Sequence, residues 1–309
     1  INQHDDRVQM HDWILMRDYN MDGKKDFFTY SNGATAVYRN TTQSPDTVSF
    51  DLVTTYLKSN YNPNYLTLYI SPVDMPTFID VDNDNDMDVL TYHIYGQVVE
   101  FHSNQSQELY GNSDSLAFIL YDQCFGDFSE NSASNSVYLD TCVGFIIHND
   151  TVHFLEPGSG LRHVGSSTLA LDMNNDGKKE FLVGDISFNN MTLLSNNGTL
   201  LDAHFNDQNP SAPPNTTAIN LPIFPAAFYE DVNNDGVKDL LVSPNTTNIT
   251  ENFNSVWYYK NNGTTSQPDF QYVQNNFLQD NMIEVGEVSF PVFFDASGDG
   301  LQDLIIGNY

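Results

Sequence analysis

Positive charge is what this chain has least of. Among 309 residues, 11 Lys and Arg stand against 41 Asp and Glu, a net charge of −30. Phosphate backbones need a basic surface, so nucleic acid is excluded as a natural partner, and docking on anionic lipid is disfavoured. Such an acidic surface suits a salty or calcium-rich exterior, where screening relieves self-repulsion. No apolar run approaches the roughly 20 residues that cross a bilayer as a helix, so membrane insertion is not expected. Sustained 3.6-residue periodicity beside capping signals is missing, and little helix is expected. Cysteine is scarce, with Cys124 and Cys142 the two in the chain. Both fall in one polar stretch, where a bridge would close a loop of roughly 18 residues and contribute about 3 kcal/mol. We expect that disulfide, and with it an oxidising compartment. Catalytic signatures are absent too: no Gly-x-Ser-x-Gly, His-Glu-x-x-His or phosphate-cradling glycine loop occurs. His163 beside Gly165-Ser166-Ser167 could be read as a base near a nucleophile, but an ordinary strand-end histidine explains it better. An enzyme is not expected.

What is present is one nine-residue loop, five times over. Oxygen-bearing side chains fall at its first, third, fifth and ninth positions. The copies are Asp18, Asn20, Asp22, Asp26; Asp80, Asp82, Asp84, Asp88; and Asp172, Asn174, Asp176, Glu180. Two more follow: Asp231, Asn233, Asp235, Asp239; and Asp295, Ser297, Asp299, Asp303. Crowded carboxylates repel unless a cation sits among them, and calcium takes six to eight oxygens at about 2.4 Å. The seventh residue (Lys24, Asp86, Lys178, Val237 or Leu301) would lend its backbone carbonyl, leaving its side chain free to vary. Glycine at the sixth position, replaced by Asn85 in the second copy, permits the left-handed φ of a sharp bend. Asp, Asn and Gly also make turns without any metal. Five copies in one register, each followed at once by an apolar residue (Phe27, Val89, Phe181, Leu240, Leu304), favour calcium at about five sites.

The loops begin at 18, 80, 172, 231 and 295, intervals of 62, 92, 59 and 64. A period near 60 with strand-like contents is the signature of a propeller or solenoid. Apolar runs flank every loop, such as Thr168-Leu-Ala-Leu171 before and Phe181-Leu-Val183 after, and they fit strands buried on both faces. A third strand then ends in Asn, at Asn40, Asn104, Asn196 and Asn261. A polar linker with room for one more strand follows. The expected fold is all-β, a β-propeller of four-stranded blades forming a single region over 1–309. An insertion over roughly 110–162 accounts for the long second interval. Ends at Ile1 and Tyr309, the latter directly after a strand, are expected to be cuts in a larger propeller.

Asp-x-Asx-x-Asp-Gly-x-x-Asp-apolar, repeated in this way, resembles the FG-GAP/VCBS repeats of integrin-α-like β-propellers. Gly184-Asp185-Ile186 is similar to that family's Gly-Asp-apolar ending. Within the group the chain looks most like large secreted repeat proteins of the Bacteroidota. The resemblance implies calcium in the loops, export by the type IX secretion route, and an extracellular or cell-surface location. Its expected partners are outer-membrane export or surface proteins, or surface glycans. The expected function is a calcium-stabilised scaffold for adhesion or for protein or glycan interaction. The alternative is an extracellular enzyme that binds or degrades polysaccharide. Among the many aromatics, Tyr61, Tyr65 and Tyr69 are candidates for stacking on sugar rings if they face solvent, with core or turn roles as the competing reading.

Overall fold

The computed structural model describes residues 12–307 apart from 45, 95, 132, 143–144, 149–150, 155–164, 247–248 and 287; for 145–148 and 151–154 it describes the backbone alone. His163 lies outside the described residues. The chain is a four-bladed β-propeller. Blade 1 is β1 (Ile14–Arg17), β2 (Asp26–Ser31), β3 (Ala34–Asn40) and β4 (Phe50–Thr54), antiparallel and in sequence order. A short hairpin, β5 (Lys58–Asn60) and β6 (Tyr65–Thr67), precedes blade 2. Blade 2 is β7 (Thr77–Ile79), β8 (Asp88–Tyr92), β9 (Val99–Asn104) and β10 (Phe118–Asp122), with α1 (Ser106–Tyr110) between the last two strands. Hairpins β11 (Phe128–Glu130) with β12 (Val137–Leu139), and β13 (Phe145–His148) with β14 (Thr151–Phe154), lead to blade 3. Blade 3 is β15 (Ser166–Leu171), β16 (Glu180–Asp185), β17 (Met191–Asn196) and β18 (Phe205–Asn209). Blade 4 is β19 (Pro225–Glu230), β20 (Asp239–Pro244), β21 (Trp257–Asn261) and β22 (Phe270–Gln274). The fifth loop joins β23 (Phe290–Phe294) to β24 (Asp303–Gly307), a two-stranded sheet whose side chains are mostly exposed. No helix among the described residues is long and apolar enough to cross a membrane.

Each blade follows from its apolar runs. Every residue of β8, β9 and β15 is buried, as expected for strands with protein on both faces. Three cores lie in series between the blades. Phe28 of blade 1 meets Phe78 of blade 2, ring centroids 4.5 Å apart. Phe181 and Phe205 stack at 5.8 Å between blades 2 and 3, and Leu182 and Leu240 share the core between blades 3 and 4. Burying each such ring fully stabilises the fold by about 1.5–3 kcal/mol. The ring of blades is drawn together at its axis by Arg17. Its guanidinium donates to the Phe78 carbonyl of blade 2 and pairs with Glu230 of blade 4 at 3.0 Å.

Two features depart from the sequence reading. Phe118–Asp122 is the outer strand of blade 2, so the excursion between blades 2 and 3 begins after Asp122 and not near Tyr110. The base of that excursion is also apolar rather than polar. Phe125 and Phe128 are 1% and 0% exposed, wedged against Phe181 and Phe205. Second, β5 pairs in parallel with β10, which widens blade 2 to six strands. That pairing joins segments some 60 residues apart and leaves no local pattern to read.

Gly126 sits in this wedge with φ +84°, and a Cβ there would overlap the Phe205 ring. Gly126→Ala should therefore lower unfolding stability by about 2–5 kcal/mol, combining left-handed strain with overpacking. Urea denaturation followed by fluorescence would measure it, and an unchanged midpoint would refute the wedge.

Candidate functional site

All four blade loops connect a first strand to a second, so they emerge on one face of the propeller. Their backbone is the same in every copy. The sixth residue has positive φ throughout: Gly23, Asn85, Gly177, Gly236 and Gly300. So does the fourth, occupied by Met21, Asn83, Asn175, Asn234 and Gly298. Three asparagines and a glycine suit that conformation, whereas Met21 pays a steric penalty for it. The doubled bend turns successive N–H groups inward. The first-position carboxylate accepts the sixth-position N–H in all five loops, for example Gly23 to Asp18 at 2.8 Å and Gly236 to Asp231 at 2.9 Å. The fifth-position carboxylate accepts the seventh N–H, from Lys24, Asp86, Lys178, Val237 and Leu301, at 2.8–3.0 Å.

The ninth carboxylate has a different task. Asp26, Asp88 and Asp239 are fully buried and Glu180 nearly so. Asp26 accepts N–H groups from Tyr19 in its own loop and Asn40 at the end of β3, at 3.1 and 2.7 Å. Asp88 does the same with Val81 and Asn104, both at 2.8 Å. Asp239 accepts from Asn261 at 2.9 Å and from the Asn233 side chain at 2.9 Å. Glu180, one methylene longer, accepts from Met173 and the Asn174 side chain instead. Thus the strand-end asparagines are part of the loop motif. Asn40, Asn196 and Asn261 also return a side-chain N–H to the eighth-position carbonyl of Lys25, Lys179 and Lys238.

Do these loops suit a cation? Each oxygen that accepts one N–H keeps a second lone pair, so these bonds aim the carboxylates without exhausting them. Three buried loop oxygens have no partner: Asn20 Oδ1, Asp84 Oδ2 and Asp86 Oδ1. Asn20 and Asp84 sit at third and fifth positions, where a cation would meet them, while the Asp86 side chain, at the seventh, turns to the Gln107 N–H of α1. In the second loop Asp80, Asp82 and Asp88 bring oxygens within 4.8 Å of one another, and Asp82 and Asp84 do so with Glu108 of α1. Such a set of hard oxygens fits calcium. Asn or Ser holds the third position elsewhere, and among the described residues no other loop gathers three acidic groups this way. Glu108 lies 20 residues beyond the loop in sequence, and no spacing rule pointed to it. Cys124 and Cys142 form the expected disulfide, so their sulfurs are not metal ligands.

A second assembly bridges β9 and β5 across the outer half of the blade 2 sheet. Ser59 of β5 bonds His102 Nδ1 at 2.8 Å, and His102 Nε2 meets Glu100 at 3.1 Å. Hydroxyl, imidazole and carboxylate in series can serve nucleophilic catalysis, but Ser59 and His102 are wholly buried. No substrate reaches them, and the trio pins β5 to β9. Above it Tyr61 stands edge-on to His102, centroids 5.5 Å apart. Tyr61 lines a cleft of ≈ 580 Å³ with Tyr121 and the disulfide; Tyr65, 56% exposed, and Tyr69 lie outside it. Of the three tyrosines picked out by sequence, the first lines this cleft. Tyr121 was missed, since nothing local marks it.

Deleting the ninth carboxylate should hurt more than changing the seventh side chain. Asp239→Ala strands the Asn261 N–H and should lose about 2–4 kcal/mol, against about 0.5 kcal/mol for Val237→Ala, both measured by denaturant unfolding. Equal losses would contradict the staple. Burial, reinforced by neighbouring carboxylates, pushes Asp82 up to about 6 and Asp86 up to about 7. The folded chain then holds protons that the unfolded chain has released above its ordinary value near 3.8. Stability of metal-stripped protein should therefore fall as pH rises from about 4 to about 7, and Asp86→Asn should flatten that fall. Melting temperatures across this range decide it, and a steady rise would refute the sign.

No family model matches the chain, and no curated protein does. Among solved structures it is similar to an Agrocybe aegerita lectin described as specifically recognising non-reducing terminal N-acetylglucosamine. The identity is 13% and the TM-score 0.35, over 95% of this chain and 74% of that one. No ligand is assigned on that similarity.

Proposed function

We propose that the chain is a calcium-stabilised propeller scaffold that recognises surface partners, glycans foremost, outside the cytoplasm. The observation that carries the calcium reading is the pair of buried, unpartnered oxygens on Asn20 and Asp84, at third and fifth loop positions, beside the gathered carboxylates of Asp80, Asp82 and Asp88. In each loop the first, third, fifth and ninth side chains would hold the ion, with the seventh carbonyl. When bound, calcium neutralises carboxylates that otherwise repel. The chain's own residues do the rest: the backbone N–H groups orient the oxygens, and the ninth carboxylate joins loop to third strand. A Cys124–Cys142 disulfide supports an oxidising compartment. Export by the type IX route, which the loop resemblance implies, is the proposed way there. Recognition of a neutral, hydroxyl-rich partner accords with a net charge of −30 and with a cleft walled by tyrosine and carboxylate. The competing reading, a polysaccharide-degrading enzyme, gains nothing from the sealed Ser59–His102–Glu100 trio.

Calorimetric titration of stripped protein with calcium, paired with thermal melts, tests the scaffold. Each occupied site should add about 2.7 kcal/mol at a hundredfold excess over Kd. Calcium should outperform magnesium, which gives up its water reluctantly. Asp84→Asn should weaken uptake at the second loop alone. Identical melting curves with calcium and with EGTA, and no heat of binding, would reduce the loops to plain turns.

A further inference from the structure

We propose that the cleft between the outer edge of blade 2 and the Cys124–Cys142 bridge binds a neutral pyranose unit of a glycan. This rests on the reading of the chain as a glycan-recognising scaffold and gives it a site. Two tyrosines from segments 60 residues apart, Tyr61 and Tyr121, line the cleft together with Asn62, Asp122, Gln123 and Asp127. Sugar rings present C–H faces that pack on aromatic rings, and a rim of hydroxyls that need hydrogen-bond partners. Both needs are met here.

The aromatic walls are held in place. Tyr121 packs on Phe101 with ring centroids 5.5 Å apart, and Tyr61 rests edge-on against His102. His102 is itself fixed by Ser59 and Glu100. The third wall is the disulfide, tied to the core through the buried Phe125 and Phe128. Little ordering is left for a ligand to impose, which favours affinity.

Polar groups in the cleft are of the kind hydroxyls seek. Asp122 accepts the Cys124 N–H at 2.9 Å through Oδ1, and a carboxylate so held keeps lone pairs for a hydroxyl. Asp127 meets His204 Nδ1 at 3.1 Å and remains half exposed. The Asn62 and Gln123 amides make no side-chain hydrogen bond among the described residues, so each can both donate and accept. Charge then narrows the class. Among the described residues no Lys or Arg lines the cleft, and Asp140 stands beyond it, 3.3 Å from His204 Nε2. A uronate or sulfated sugar would meet the Asp122 and Asp127 carboxylates with no Lys or Arg beside them among the described residues. Neutral pyranosides meet only acceptors and amides.

The test uses the full chain with calcium present, against gluco-, manno- and galacto-oligosaccharides, with oligogalacturonate as the acidic arm. Calorimetry should detect binding to at least one neutral series and none to oligogalacturonate. Tyr121→Ala should weaken that binding about tenfold, and Asp127→Asn should weaken it measurably. Tyr56→Ala, in a separate tyrosine-lined groove on blade 1, should leave it unchanged. Thermal melts of each variant confirm folding, and Gln123→Ala replaces Tyr121→Ala if that variant is misfolded. Neutral binding that survives Tyr121→Ala and Asp127→Asn but fails in Tyr56→Ala would overturn this site while leaving a glycan scaffold standing. Preference for oligogalacturonate would overturn the charge argument and the site with it. Absence of binding to every sugar would overturn the glycan reading itself.

Discussion

A buried carboxylate at the ninth loop position is the constraint on which each blade depends. Asp26, Asp88 and Asp239 reach from the start of a second strand to the N–H at the end of a third. One side chain thereby sets the loop, the hairpin register and the closing turn together. Burying a charge is costly, and backbone N–H groups offset part of that cost, while burial still pushes the Asp26 and Asp88 carboxyls up. The asparagine at the strand end completes the arrangement by returning a hydrogen bond to the loop. Glu180 shows what one added methylene does: it satisfies itself within the loop and leaves β17 to other contacts.

Joining the blades is a separate problem, and hydrophobic packing solves it unevenly. Between blades 2 and 3 the excursion supplies Phe125 and Phe128, which fill the gap together with Tyr92, Phe101, Phe181 and Phe205. Short polar links add to this, among them Thr77 to Thr168 at 2.9 Å and Lys179 to Asn83 at 2.8 Å. At the axis, a single guanidinium spans three blades. The disulfide lies at the rim of the aromatic wedge, where it limits the motion of a loop whose base is already anchored.

The same rigidity gives the outer surface its chemistry. Loop oxygens are aimed before any ion arrives, and the tyrosines of the blade 2 cleft are packed before any sugar arrives. In the proposed reading both are sites organised ahead of their ligands on a stiff frame. A net charge of −30 disfavours anionic partners at either place, which is the ground for proposing cations at the loops and a neutral ligand in the cleft.

By itself the sequence determined the repeat. Loop register, the strands on either side, the closing asparagines and the sixth-position bend are all set by residues within about thirty positions of one another, so a pattern records them. It also carried the disulfide, because both cysteines lie in one excursion. Only the tertiary structure decided the rest. The parallel pairing of β5 with β10, the wedge of Phe125 against Phe205, and Glu108 beside Asp82 and Asp84 have no local signature. Nor does the meeting of Tyr61 with Tyr121. Each depends on which surfaces of distant segments bury one another, and that is settled by packing of the whole chain, not by spacing along it.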